Sequence, residues 1–269
     1  MAYYGALCAE SLEPGPFRIR TDENGFIKTG NEINGFYDVM VLGDSVVENY
    51  YIHEQDRICA VAERVLRDAG LPTNVYNGGN SGSTTLSLLN ILISKVIPLK
   101  PHIVVLVTGI TDAAMCGYPD NFWTPGQSSS PLPIAANVQQ RPTSVEGLDL
   151  SARAKLIALF GEVCRQFGIR FILATYPYTS NLNDPLVARR YPTEQSFLDE
   201  TGAFRLANEQ TRELASAMDI PLLDIQALHP ECPDLLYDII HPNKAGCLTF
   251  GIDYAKFLSA HLLEIRAAS

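Results

Sequence analysis

From about residue 37 onward, short apolar runs alternate with longer stretches of helical periodicity. Residues 39–42 read as a buried strand, and 55–69 as an amphipathic helix stopped by Gly70. A short second strand follows at 74–77, then a helix over 84–96 that Pro98 and Pro101 are expected to end. The run 103–107 is a continuous β-branched stretch, the pattern of a parallel strand covered on both faces. A helix over 150–167 with Gly168 just past it, a strand at 171–174, a helix over 204–218, a strand at 222–225 and a closing helix over 243–265 complete the alternation. Strands separated by helices imply right-handed crossovers. They predict an α/β chain, a three-layer α/β/α sandwich with a five-stranded, mainly parallel sheet.

Three segments break the rhythm. In the first 36 residues, 17–20 and 26–28 flank Asp22-Glu23-Asn24-Gly25, which predicts a small hairpin with an Asn-Gly turn. The whole chain, 1–269, reads as one domain, with 1–36 an N-terminal appendage on a core over 37–269. Segments 113–147, which carries the only Trp (Trp123), and 176–200, which carries Tyr176, Tyr178 and Tyr191, are too long for plain connections. Each follows the carboxyl end of a strand, so each is expected to form a substrate wall or lid.

Composition narrows the partners. The chain is 46% hydrophobic and 19% charged, with a formal net charge of −10 and a pI near 4.9. Nucleic acid or anionic membrane would call for a concentrated basic face, and the only such pair is Arg189-Arg190. No apolar run approaches the roughly 20 residues of a membrane span. The start, Met1-Ala2-Tyr3-Tyr4-Gly5, lacks the pattern of a secretory signal, so a cytoplasmic location without membrane insertion is expected. Six scattered cysteines, with no Cys-x-x-Cys pair, read as free thiols and offer no metal-site spacing. Oligomeric state is not encoded legibly.

The chemistry-bearing residues lie far apart in the chain. Ser45, in Gly43-Asp44-Ser45, leaves the first strand on the turn above the sheet, where α/β proteins bind ligands. Near the end stands Asp238-Ile239-Ile240-His241-Pro242. An imidazole can take the proton of a serine hydroxyl, and a carboxylate three residues away can orient that imidazole. Each residue also has a plainer role open to it. Ser45 could cap the next segment, and Asp238 could serve a helix start. Asp44 is expected to orient its turn, Asp224 to be structural, and His53, His102, His229 and His261 to be surface or structural.

Four blocks together resemble the SGNH, or GDSL-type, hydrolases, over roughly residues 37–265. They are Gly43-Asp44-Ser45-Val46, the glycine-rich 76–84, Gly109-Ile110-Thr111-Asp112, and Asp238-Ile239-Ile240-His241-Pro242-Asn243. The resemblance implies the flavodoxin-like fold of that family and a catalytic set Ser45, Asp238 and His241. It also implies an oxyanion hole from the Ser45 and Gly82 backbone N–H groups plus residue 111. There the family carries Asn and this chain has Thr111, a shorter donor with a stiff χ1. The implied activity is an esterase acting through an acyl-serine on a small or carbohydrate-borne ester such as an acetyl ester, with no metal or organic cofactor. Trp123, Tyr176, Tyr178 and Arg189 are candidate substrate contacts. The alternatives are an acyltransferase sharing the first half-reaction, or a binding module that lost catalysis through the change at residue 111.

Overall fold

The computed structural model describes residues 11–30, 37–124, 145–179, 191 and 193–268. Its strands are β1 (Tyr37–Gly43), β2 (Thr73–Gly79), β3 (Ile103–Val107), β4 (Arg170–Ala174) and β5 (Leu222–Leu223). They pair in parallel in the order β2-β1-β3-β4-β5, with Val39 opposite Val75 on one side and Ile103 on the other. Successive side chains on a strand point to opposite faces. Val39, Val41, Ile103 and Val105 therefore enter one apolar core, and Met40, Leu42, Val104 and Leu106 enter the other. With both faces covered, the central strands have no reason to alternate apolar with polar, which is why they read as continuous apolar runs.

Helices α1 (Ser45–Glu48), α2 (Ile58–Asp68), α3 (Thr85–Ile91), α4 (Ile97–Leu99), α5 (Ile110–Cys116), α6 (Ser151–Gln166), α7 (Glu194–Ala217), α8 (Ile225–Leu228) and α9 (Lys244–Ala268) fill the connections. α2 and α9 pack together over the first core, and α3 and α6 over the second. The result is the three-layer α/β/α sandwich. None of the described helices is long and apolar enough to cross a membrane.

Several boundaries differ from expectation for identifiable reasons. The helix after β2 does not stop before Pro98. A π turn, Leu92–Val96, follows α3, and Pro98 then falls in the first turn of α4, where its missing N–H leaves no bond unmade. The chain leaves only at Lys100, in the left-handed region at φ 51°. α7 starts at Glu194 rather than near 204, because the Thr193 hydroxyl caps it by accepting the Ser196 N–H at 3.1 Å. The connection after β3 is helical from the outset, as α5. Most of the two long segments, 125–144 and 180–190, lies outside the described residues.

The expected N-terminal turn is present, with Lys28 N–H donating to Arg20 O at 2.9 Å, a bridge between Thr21 and Ile27, and Gly25 at φ 85°. Ile27 bridges Asn77 antiparallel, and Phe26 and Ile27 are buried, so this segment covers the outer edge of β2.

Strand order reverses between β1 and β3, so the loops after these two strands diverge and leave a crevice at their carboxyl ends. The Gly43-Asp44-Ser45 and Gly109-Ile110-Thr111-Asp112 turns both open there. Gly109 is constrained from behind, since a Cβ on it would lie 1.5 Å from Cε1 of the buried Tyr176. Gly109→Ala is therefore expected to destabilise the fold by about 1–3 kcal/mol through overpacking. Urea unfolding checks this, and adding Tyr176→Leu should recover part of the loss.

Candidate active site

Ser45 is the first residue of α1, a helix too short to be stable alone and therefore held by its neighbours. The buried Asp44 carboxylate caps it, accepting the Val46 N–H at 3.0 Å. At the other end Asn49 adopts the left-handed conformation, donates to Val46 O at 2.6 Å and accepts the Ile58 N–H at 3.2 Å, tying α1 to α2. From β2, the buried Asn77 amide donates to Val47 O at 2.9 Å. The helix lies so close to β2 that a Cβ on Gly79 would come within 2.2 Å of the Glu48 nitrogen. The plainer capping role for the serine falls to Asp44, and Ser45 keeps its hydroxyl for another partner.

That partner comes from a turn at the far end of the chain. Leu236 bridges Pro242, and Tyr237 N–H donates to His241 O at 2.9 Å, closing a tight loop around residues 238–240. Asp238 Oδ1 accepts the Ile240 and His241 N–H groups at 2.9 and 2.7 Å, which fixes its second oxygen on the imidazole. His241 Nδ1 lies 2.7 Å from Asp238 Oδ2, and His241 Nε2 lies 2.8 Å from Ser45 Oγ. A carboxylate on Nδ1 assigns the proton there and leaves Nε2 to accept from the hydroxyl. Burial acts to raise the Asp238 carboxyl. The His241 imidazole and the two N–H donors outweigh it and hold the group below the usual carboxylate range. A hydroxyl, an imidazole and a carboxylate in line can move a proton off serine oxygen as it becomes a nucleophile.

The glycine-rich loop is fastened to the same helix. Asn80 N–H donates to Gly43 O at 3.1 Å, and the Glu48 carboxylate accepts the Ser81 N–H at 3.1 Å and its hydroxyl. Gly82 follows in the left-handed region at φ 79°, after which Thr84 and Ser87 form a capping box that starts α3. Among the described residues, neither the Ser45 nor the Gly82 N–H has a hydrogen-bond partner. Thr111, half-buried at the start of α5, directs both its N–H and its hydroxyl at Asp44 Oδ2, each at 3.4 Å. That length is at the weak end of hydrogen bonding, so the hydroxyl is not locked. Burial pushes the Asp44 carboxyl up, against the opposing pull of the Val46 N–H and the His241 charge.

Residues 41–247 match the GDSL-like lipase/acylhydrolase family. The chain belongs to that family. It is accordingly a carboxylic ester hydrolase in class. No curated protein matches it. Among solved structures it is similar to the lipase/acylhydrolase from Enterococcus faecalis, with 18% identity and a TM-score of 0.55 over 84% of this chain and 97% of that one. It also resembles the acetyl xylan esterase AlAXEase (17%, TM-score 0.56, 81% and 97%). An acetylxylan esterase from Geobacillus stearothermophilus is similar too (16%, TM-score 0.53, 86% and 96%). At these identities the likeness is one of fold.

Of the four expected substrate contacts of this GDSL-type hydrolase, two are buried in the core. Tyr176 is not a wall. It is 1% exposed, packed under Gly109 and edge-on to Phe204, because the chain leaving β4 turns into the core. Tyr178 is likewise buried, against Phe204, with its N–H on Gln226 Oε1 at 2.8 Å. Trp123 is exposed, beyond α5, and Arg189 lies outside the described residues. The other histidines have partners elsewhere: His229 on Asp253, His102 on the Asp38 N–H, His261 beside Arg170 and Glu264, and His53 against Phe17. Asp224 pairs with Arg212 and caps α8. Cys59, Cys116, Cys164, Cys232 and Cys247 are free and buried. Among the described residues no cluster of His, Cys, Asp or Glu is disposed to hold a metal ion.

Sequence reasoning missed Arg153. It is fully buried on α6, with Nε 3.3 Å from Asp112 Oδ2 and further bonds to Thr108, Gln210 and Thr211. Asp112 in turn accepts the Thr85 N–H at 2.8 Å and its hydroxyl, linking the turn after β3 to the start of α3 and so to the glycine loop. A lone Arg on an amphipathic helix carries no signal of this, since most such residues face water.

Two outcomes follow from these buried charges. Arg153→Met leaves Asp112 uncompensated and should cost about 3–5 kcal/mol in urea unfolding, much of it recovered by adding Asp112→Asn. Asp238 titrates lower folded than unfolded. Its contribution to stability is therefore complete above about pH 4 and is lost as the pH falls through its lower folded value. Asp238→Asn should flatten that part of the acid-stability curve, measured by denaturation between pH 2 and 5.

Proposed function

We propose that this GDSL-type hydrolase is a serine esterase in which Ser45, His241 and Asp238 act as a triad on a small or carbohydrate-borne ester, an acetyl ester above all. The observation that carries the reading is the unbroken hydrogen-bonded line Ser45 Oγ, His241 Nε2, His241 Nδ1, Asp238 Oδ2, with links of 2.8 and 2.7 Å. As Ser45 Oγ bonds to the ester carbonyl carbon, its proton passes to His241 Nε2 and the carbonyl π pair moves onto oxygen. The tetrahedral intermediate collapses when the alcohol oxygen leaves, taking that proton from His241. Water then attacks the acyl-serine, again giving a proton to His241. Collapse of the second intermediate releases the carboxylic acid, and His241 returns the proton to Ser45 Oγ.

The N–H groups of Ser45 and Gly82, without a hydrogen-bond partner among the described residues, are the donors for the two oxyanions, held by the cap on α1 and by the Glu48 tether on the loop. Thr111 is a minor third donor, because its hydroxyl is shared with Asp44. The acetyl preference is supported by the acetyl xylan esterases among its structural neighbours. Trp123, exposed beyond α5, is the remaining aromatic candidate for contact with the alcohol portion, and Arg189 is kept as a candidate on sequence grounds alone.

Turnover of p-nitrophenyl acetate and of an acetylated xylo-oligosaccharide tests this directly. Ser45→Ala should lower kcat by at least about 10³-fold, and equal rates in the two proteins would exclude Ser45 as nucleophile. Thr111→Ala should cost less than about tenfold, well short of the 10²–10³ typical of a main oxyanion donor. Thr111→Asn should raise kcat.

A further inference from the structure

The buried Tyr237 is tied to His241 twice, and neither tie belongs to the reacting line. Its backbone N–H closes the turn on His241 O, and its ring stacks on the imidazole with planes 9° apart and centroids 5.4 Å apart. The ring is itself held from the side. Tyr51, just past α1, meets it edge-on at 6.1 Å and 86°, and Phe17 meets Tyr51 edge-on at 6.0 Å and 87°. The N-terminal segment that covers the β2 edge thus also reaches the candidate base through two rings.

The geometry points to Tyr237 as a positioning residue whose π face stabilises the imidazolium that forms on His241 in each half-reaction. This rests on the reading of His241 as the general base. A cation within about 6 Å of an aromatic centroid is attracted by the ring quadrupole, and more strongly where water is excluded. His241 is largely buried, so little solvent is present to do the same work. Among the described residues, the imidazole is faced by the carboxyl groups of Asp238, on its own turn, and of Asp44, from the turn after β1. Lys244, at the start of α9, is drawn instead to Glu13 and Asp56. The two carboxyl groups and the ring therefore act in one sense, toward the protonated imidazole. The ring alone has a strength that can be tuned without altering charge.

The test replaces Tyr237 in the full chain with phenylalanine and then with mono-, di- and trifluorophenylalanine, which keep the ring's shape while draining its π face. Esterase rates are read across pH. Tyr237→Phe is expected to keep most of the rate. Along the fluorine series kcat should fall stepwise, about two- to fivefold in all, with KM little changed. The acid limb of kcat/KM should move to lower pH by about half a unit, because an imidazolium that loses the ring gives up its proton more readily. Tyr237→Leu should fall further and show the same displaced limb. A flat fluorine series, or an acid limb that stays in place, overturns the proposal and leaves Tyr237 as packing. His241→Ala separates the two readings. If it is inactive while the series is flat, only Tyr237's role fails; if it keeps the wild-type rate, the base assignment itself fails.

Discussion

The hydrogen bond between Ser45 Oγ and His241 Nε2 joins residues 196 positions apart, and the proposed esterase chemistry rests on holding those two atoms at 2.8 Å. A serine hydroxyl alone is a poor nucleophile, so the fold must keep an imidazole at that one oxygen through thermal motion. It does so with two small rigid frames. One is the four-residue helix α1, capped by Asp44 and clamped by the side-chain amides of Asn49 and Asn77. The other is the turn between Leu236 and Pro242, where Asp238 accepts two backbone N–H groups before it meets the imidazole. The buried Arg57 guanidinium adds a bond to Asn49 O at 3.2 Å on the first frame.

The sheet supplies the common reference. β1 and β3 are neighbours, yet their following connections go opposite ways, so the ends of both strands stand beside an open crevice. The glycine loop after β2 is drawn into that crevice by Glu48, and the turn after β3 is drawn in by Asp44. Behind them, Asp112 and the buried Arg153 join α3, α5 and α6. Buried ion pairs seldom add net stability. Here the pair links separate loops of the site, a task that an apolar contact would perform with less directional control.

The strands and the motif residues were legible in the sequence because each carries a local signal. The run 103–107 is apolar throughout, and the stretch at 39–42 ends at a glycine turn bearing Ser45. Asp238 and His241 stand three apart beside a proline. What escaped notice depends on tertiary context. Tyr176 sits in a polar, proline-containing stretch, yet it lies in the core because Gly109 makes room for it. α5 is short and straddles the Gly109-Ile110-Thr111-Asp112 block and the start of the long segment 113–147, and burial of Ala113, Met115 and Cys116 stabilises it. Pro98 lies inside helical structure because a π turn shifts it to a first-turn position, a change of register that no propensity encodes. The role of Arg153 is invisible until three helices converge on it.

The most direct measurement is covalent labelling with an organophosphonate ester, followed by mass spectrometry of the digested protein. An activated serine hydroxyl attacks the phosphorus far faster than an ordinary one, expels the phosphonate's leaving group and stays bonded through oxygen in a tetrahedral adduct. The account predicts a single adduct, on Ser45, forming at least about 10²-fold more slowly in His241→Ala. An adduct on another residue, no adduct at all, or labelling of Ser45 at the same rate without the imidazole would contradict it.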